Sequence, residues 1–204
     1  MGGDSRSERE SRRQGRPQRT QQQSPQHQPP QQKTQLFFAA WPAPEIQEAL
    51  RGVAQRAQRE CGGQATPVHN IHLTLVFLGP VPHDRMTELE TLAEKVSGQR
   101  FDLAVDRLDY WQHNRIAWAG VEQCPEALRA LVGQLEKTLG AAGFRLDPRP
   151  YVPHITLLRE ARAPAQNQMP PIAWPVEEFV LVESVQLDQS RVYEVLHRWP
   201  LGGS

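Results

Sequence analysis

Two stretches decide how this chain folds: NIHLTLVFLG at residues 70–79 and RPYVPHITLLR at residues 149–159. Each places a histidine and a threonine two residues apart inside an otherwise apolar run, at His72 and Thr74 and again at His154 and Thr156. Strand side chains alternate between faces. In the first stretch this predicts Ile71, Leu73, Leu75 and Phe77 on one face and His72, Thr74, Val76 and Leu78 on the other. A single His-x-Thr of this kind is a weak signal, because a half-buried imidazole beside a threonine hydroxyl also satisfies itself as a polar couple. The recurrence is the stronger observation.

Working outward, the two stretches occupy the same place in a repeated unit. Residues 35–42 (QLFFAAWP) read as a first strand. Residues 45–60 carry Ile46, Leu50, Val53 and Ala57 at helical spacing, opened by Pro44 and closed by Gly62-Gly63. A short strand near 65–68 leads into the first His-x-Thr. A helix over 83–96 and a strand over 100–108 (RFDLAVDRL) complete this half. Tyr110 and Trp111 then fall in a loop-like stretch where a nucleobase could stack. In the second half, residues 115–121 form a strand and Pro125 opens a helix with Leu128, Leu131, Leu135 and Leu139 on one face. The second His-x-Thr follows. From helix-opening proline to histidine the distance is 28 residues in the first half and 29 in the second. A strand–helix–strand unit used twice predicts a pseudo-twofold molecule. Residues 179–185 and 192–199 read as a closing hairpin around a turn at 186–191.

Two such strands facing one another would gather two imidazoles and two hydroxyls around one small volume. With an unperturbed pKa of about 6.5, one imidazole can be neutral while the other is protonated near pH 7, serving as base and acid in one displacement. Threonine hydroxyls can donate to the non-bridging oxygens of a phosphate held between them. Metal-free, in-line phosphodiester cleavage suits that set.

Composition bounds the remainder. The 204 residues, 38% hydrophobic, suffice for one domain. Charge balances at 23 basic and 23 acidic residues, but residues 1–34 hold seven basic against three acidic ones, leaving the rest mildly acidic. This Gln-, Arg- and Pro-rich segment has little to bury and is expected to be a disordered tail ahead of a domain at 35–204. The tail lacks the apolar stretch of a secretory signal, and nothing later approaches the roughly 18 apolar residues of a membrane span. The expectation is a cytoplasmic monomer without a membrane partner. Cys61 and Cys124 form no C-x-x-C pair, and no carboxylate lies near either His-x-Thr, so neither a zinc site nor another metal is expected. His69, His83, His113 and His197 lack a threonine two residues on and are assigned to loops or strand edges. Trp118, Trp174 and Trp199 are assigned to packing.

HLTL at 72–75 and HITL at 154–157 resemble the paired H-x-T-x motifs of the 2H phosphoesterase superfamily. LFFAAWP, NIHLTLVFLG, GFRLDPRPYVPHITLLR and the closing VLVESVQLDQSRVYEVLHRWPL are similar to its RNA 2′,3′-cyclic phosphodiesterase branch, also called 2′-5′ RNA ligases. The resemblance spans about residues 35–201. It implies an α+β, bilobal fold of two antiparallel sheets facing a central cleft, with helices outside. It implies hydrolysis of 2′,3′-cyclic phosphate ends of RNA or nucleotides to 2′-phosphomonoesters without a cofactor, with His72 as proton donor and His154 as proton acceptor. Thr74, Thr156 and Arg159, five residues after the second histidine, would hold the phosphate. Strict alternation points Arg159 away from His154, so that assignment needs a bend at the strand end. Two other readings stay open: action on another cyclic or 2′-5′ phosphodiester, and a nucleotide-binding module without turnover.

Overall fold

The structure is a computed structural model that describes residues 33–187 and 190–202. The described residues all fall within the second of two contact-defined units, which begins at Gln31. Apart from Lys33 and Thr34, the expected tail lies outside the described residues. Strand β1 (Lys33–Ala40) starts two residues ahead of the expected domain boundary.

After β1 come α1 (Pro44–Cys61), β2 (Gln64–Ala65), a 3₁₀ turn at Val68–Asn70 and β3 (Leu73–Pro82). The expected helix over 83–96 is a 3₁₀ turn followed by the shorter α2 (Met86–Ala93). Then follow β4 (Phe101–Trp111), β5 (Ile116–Gly120), α3 (Glu126–Ala141), β6 (His154–Arg159), β7 (Gln168–Val176), β8 (Glu178–Leu187) and β9 (Ser190–Pro200). Tyr110 and Trp111 are corrected here: they end β4, paired with Ala117 and Ile116. The closing hairpin is also tighter than expected, since Gln186 pairs with Arg191 and Leu187 with Ser190.

Strand β7 has no counterpart in the sequence reading. Its sequence, QMPPIAWPV, contains three prolines, which remove ladder donors and argue against a strand. The sheet accommodates it at an edge, where β7 pairs with β4 alone.

The strands form two antiparallel sheets, ordered β3-β1-β8-β9 and β2-β6-β5-β4-β7. In each sheet the His-x-Thr strand pairs with the strand that precedes the helix of its repeat, β3 with β1 and β6 with β5. The helices bury one face each. Leu128, Leu131, Leu135 and Leu139 of α3 are at most 1% exposed, each burial worth roughly 1.5–3 kcal/mol relative to exposure. Leu50, Val53, Ala54 and Ala57 of α1 join the same core. Among the described residues no helix is long and apolar enough to cross a membrane.

Bulges interrupt both His-x-Thr strands and change which side chains reach the cleft. Along β1, Ala39 pairs with Thr74 but Phe38 pairs with Val76, which leaves Leu75 as an extra residue. Along β5, Trp118 pairs with Thr156 but Ala117 pairs with Leu158, which leaves Leu157 extra at the matching place. An extra residue inverts the alternation beyond it. The assignment of Phe77 to the face of Leu73, with Val76 and Leu78 beside His72, is therefore overturned. Val76 and Leu78 are buried, and Phe77 is 55% exposed on the cleft side.

Candidate active site

The two sheets contribute to one cleft of about 990 Å³, whose lining includes His72, Thr74, His154, Thr156 and Arg159. The bulge at Leu157 supplies the bend that Arg159 required: His154 and Thr156 face the cleft, Leu157 and Leu158 are buried, and Arg159 turns back to the cleft wall. The strand ends there, because Glu160 takes a positive φ of 54°. Opposite Arg159, Gly63 adopts φ 83°, and a Cβ at that position would lie 2.4 Å from the Arg159 carbonyl oxygen. Only glycine lets β2 approach closely enough to pair Gln64 with Arg159. Superimposing the repeats by motif, Phe77 follows His72 by five residues as Arg159 follows His154.

Both imidazoles are held by one device. His72 Nδ1 lies 2.7 Å from the carbonyl oxygen of Asn70, and His154 Nδ1 lies 2.9 Å from that of Val152, in each case two residues earlier. A carbonyl can only accept, so Nδ1 carries the proton and Nε2 is the nitrogen left for chemistry. Thr74 Oγ1 sits 3.0 Å from His72 Nε2.

Surroundings distinguish the two rings. Trp41 stacks on His72 at 5.5 Å with its plane tilted by 8°, Phe37 lies at 4.8 Å and Tyr193 stands edge-on at 5.1 Å. Burial among these rings lowers the His72 pKa to about 4, against the Asn70 hydrogen bond that raises it, with His154 and Arg159 lowering it further. His154 meets Trp111 edge-on at 4.5 Å. Its pKa is also lowered by burial, opposed by the Val152 hydrogen bond, with Arg149 and Arg159 adding repulsion.

Asn70, Phe37, Trp41, Phe77, Arg191 and Tyr193 carry no motif of their own and were missed as a set, whereas Trp111, singled out in the sequence for base stacking, does line the cleft, from a strand end and not from a loop. Asn70 is the one polar side chain buried in the core among the described residues. Its Nδ2 donates to the Arg191 carbonyl at 2.7 Å and its Oδ1 accepts from the Tyr193 amide at 3.2 Å. From the other half, the Tyr151 hydroxyl donates to the Thr74 carbonyl at 3.2 Å, joining the loop before His154 to β3. Phe77 alone had a sequence signal, its position five residues after a repeat histidine.

The remaining histidines behave as assigned. His69 and His83 are in 3₁₀ turns, His113 is in the β4–β5 turn, and His197 on edge strand β9 meets Glu90 at 3.0 Å. Trp174 is buried, and Trp199 packs on Phe38 and Phe179. Trp118 is buried too, but on the cleft side behind His154. Among the described residues no group of three or more His, Cys, Asp or Glu could hold a metal ion, and both cysteines are free. No carboxylate lines the cleft among the described residues, whereas Arg149, Arg159 and Arg191 do. Arg149 is paired with Asp147, which does not line the cleft, and the imidazoles, hydroxyls and remaining guanidinium groups form a lining suited to an anion.

Known proteins carry the same arrangement of sequence and fold. An RNA 2′,3′-cyclic phosphodiesterase of Escherichia coli is 32% identical over 82% of this chain and 96% of its own length. One of Thermus thermophilus is 31% identical over 83% and 91%. The crystal structure of E. coli LigT complexed with 3′-AMP matches with a TM-score of 0.75 at 32% identity, over 83% of this chain and 98% of that one. The family model of the 2′-5′ RNA ligase superfamily matches residues 42–188, a span that contains both His-x-Thr motifs and Arg159. By sequence and by fold, then, this chain belongs to the 2′-5′ RNA ligase superfamily.

Proposed function

We propose that this chain hydrolyses 2′,3′-cyclic phosphate ends of RNA or nucleotides to 2′-phosphomonoesters, with its own side chains supplying the acid, the base and the anion-binding groups. The observation that carries the reading is the doubled motif: two imidazoles, each fixed through Nδ1 by a carbonyl two residues earlier and left with Nε2 for chemistry, in one cationic cleft. His154 takes a proton from water as the water oxygen attacks phosphorus. The bond from phosphorus to the ribose 3′ oxygen breaks, and His72 Nε2–H protonates that oxygen. Thr74, Thr156 and Arg159 hold the non-bridging oxygens, where negative charge grows in the transition state. Phe77 and Trp111 flank an adjoining hollow of about 510 Å³, lined also by Tyr151 and Val152, which suits a nucleobase face. The curated relatives named RNA 2′,3′-cyclic phosphodiesterase and the LigT complex with 3′-AMP support this choice over a module without turnover.

Release of phosphate from adenosine 2′,3′-cyclic phosphate after phosphatase treatment, with the 2′ isomer identified by chromatography, tests the reading. Turnover is expected to survive EDTA, because water activation is assigned to His154. It is also expected to survive deletion of residues 1–32, a cut that keeps β1 whole and removes the proposed dispensable tail. Loss in EDTA would implicate a metal, a 3′-phosphate product would reverse the regiochemistry, and loss on deletion would move the domain boundary.

The lowered pKa of His72 has a consequence for pH. In the free protein both imidazoles are depressed, so the singly protonated pair is most populated on the acid side of neutrality, and the stronger depression of His72 makes the arrangement with the proton on His72 the minor one there. A bound cyclic phosphate, itself a monoanion throughout this range, favours the imidazolium form and raises both values. The bell for kcat/KM, which reports the free enzyme, is therefore expected at lower pH than the bell for kcat, which reports the complex. Coincident bells would mean that the phosphate does not sit against the imidazoles.

A further inference from the structure

We propose that the cleft contains a second phosphate subsite at Arg191, which takes the phosphodiester on the 5′ side of the terminal nucleotide and so directs the enzyme to RNA strands over free nucleoside cyclic phosphates. This rests on the function proposed above and deepens it. Of the three cleft arginines, Arg149 is engaged by Asp147 through Nε and Nη2, and Arg159 stands on the wall beside Thr156. Arg191 lies on the opposite sheet, and no carboxylate of the described residues pairs with it. It precedes Tyr193 by two residues on the same face of β9, and the Tyr193 ring is the one packed edge-on against His72. Two residues of strand advance about 7 Å. That step is the span of one ribose, which in RNA separates the 2′,3′ oxygens from the 5′ phosphate.

The placement is held firmly. Asn70, whose carbonyl fixes His72, binds β9 through its side chain at Arg191 and at Tyr193, so the guanidinium-bearing backbone is registered to the proposed acid. The wall leading to Arg191 is uncharged and polar, with Ser184 opposite both Gln35 and Tyr193, and Gln186 opposite Arg191. Residues 35–204 carry four more acidic than basic side chains, yet the cleft lining holds cations alone among its charged groups. A cleft cation on the opposite sheet from Arg159, with no carboxylate partner among the described residues and inside an otherwise acidic domain, answers to a second negative charge on the same ligand.

Adenosine 2′-monophosphate and adenosine 2′,5′-bisphosphate differ only in the 5′ phosphate and can be compared by calorimetry on the full chain and on Arg191→Gln. The wild type is expected to bind the bisphosphate at least about tenfold more tightly, with a salt dependence steeper by about 0.7 in log–log slope for the added contact. In Arg191→Gln the preference and the extra slope are expected to fall away, to within about twofold, while affinity for the monophosphate holds. A preference retained in the variant, no preference in the wild type, equal loss for both nucleotides, or binding of neither would each overturn the subsite. Turnover of adenosine 2′,3′-cyclic phosphate is scored on the same wild-type preparation. Loss of preference in the variant without any wild-type turnover leaves the subsite standing and removes the hydrolase reading. Turnover without a preference does the reverse.

Discussion

His72→Ala and His154→Ala are each expected to lower kcat on a nucleoside 2′,3′-cyclic phosphate by at least ~100-fold, the low end for general acid–base groups. Each variant removes one Nε2 and leaves the other imidazole tied to its carbonyl, so the cleft keeps its shape but cannot move both protons. The double variant should lose less than the product of the single losses, because the histidines act in one displacement. Their roles separate on a p-nitrophenyl phosphodiester, whose leaving group departs without a proton. Activity on it should return in His72→Ala and stay absent in His154→Ala. Rescue of His154→Ala instead would exchange the roles, and full activity of either single variant on the natural ester would end the two-histidine mechanism. Removing His72 also opens a hole among Phe37, Trp41 and Tyr193, so thermal melting should accompany the kinetics.

The second largest effects are expected at the threonines. Val keeps the branched shape and strand preference of Thr while deleting the hydroxyl, so Thr74→Val and Thr156→Val should retain the fold and lose about 10- to 1000-fold in kcat, the scale of a lost oxyanion contact. The two should differ in character. Thr74 Oγ1 is 3.0 Å from His72 Nε2, so its loss also removes a partner of the proposed acid and should move the kcat–pH bell as well as lower it. Thr156→Val should lower the bell without moving it. Two variants of near wild-type activity would leave the hydroxyls with a structural role alone, and an equal shift of both bells would remove the special tie between Thr74 and His72.

Much of the molecule was legible because it depends on contacts close in sequence. Helix faces follow from 3.6-residue spacing, as Leu128, Leu131, Leu135 and Leu139 illustrate, and all four are buried. The doubled strand–helix–strand unit was visible as repeated spacing, while the antiparallel pairing of β3 with β1 and β6 with β5 emerged only from the structure. Even the shared face of His72 and Thr74, and of His154 and Thr156, needs only a period of two over three residues. The prolines of β7 obscured a strand for the same reason: propensity counts the missing donors, while an edge position leaves them without consequence.

What lay beyond local pattern was decided by pairing across the sheets. No residue in LTLVF or TLLR marks Leu75 or Leu157 as extra. The bulges appear only when β3 is laid against β1 and β6 against β5, and they alone turn Phe77 and Arg159 toward the cleft. Likewise, the surroundings of His72 come from Trp41, 31 residues earlier, and Tyr193, 121 residues later. The sequence alone determined that two imidazoles and two hydroxyls stand at matched places in a repeat. Tertiary structure decided which further side chains share their cleft and how far burial lowers each imidazole, because desolvation and charge act through space and take no account of distance along the chain.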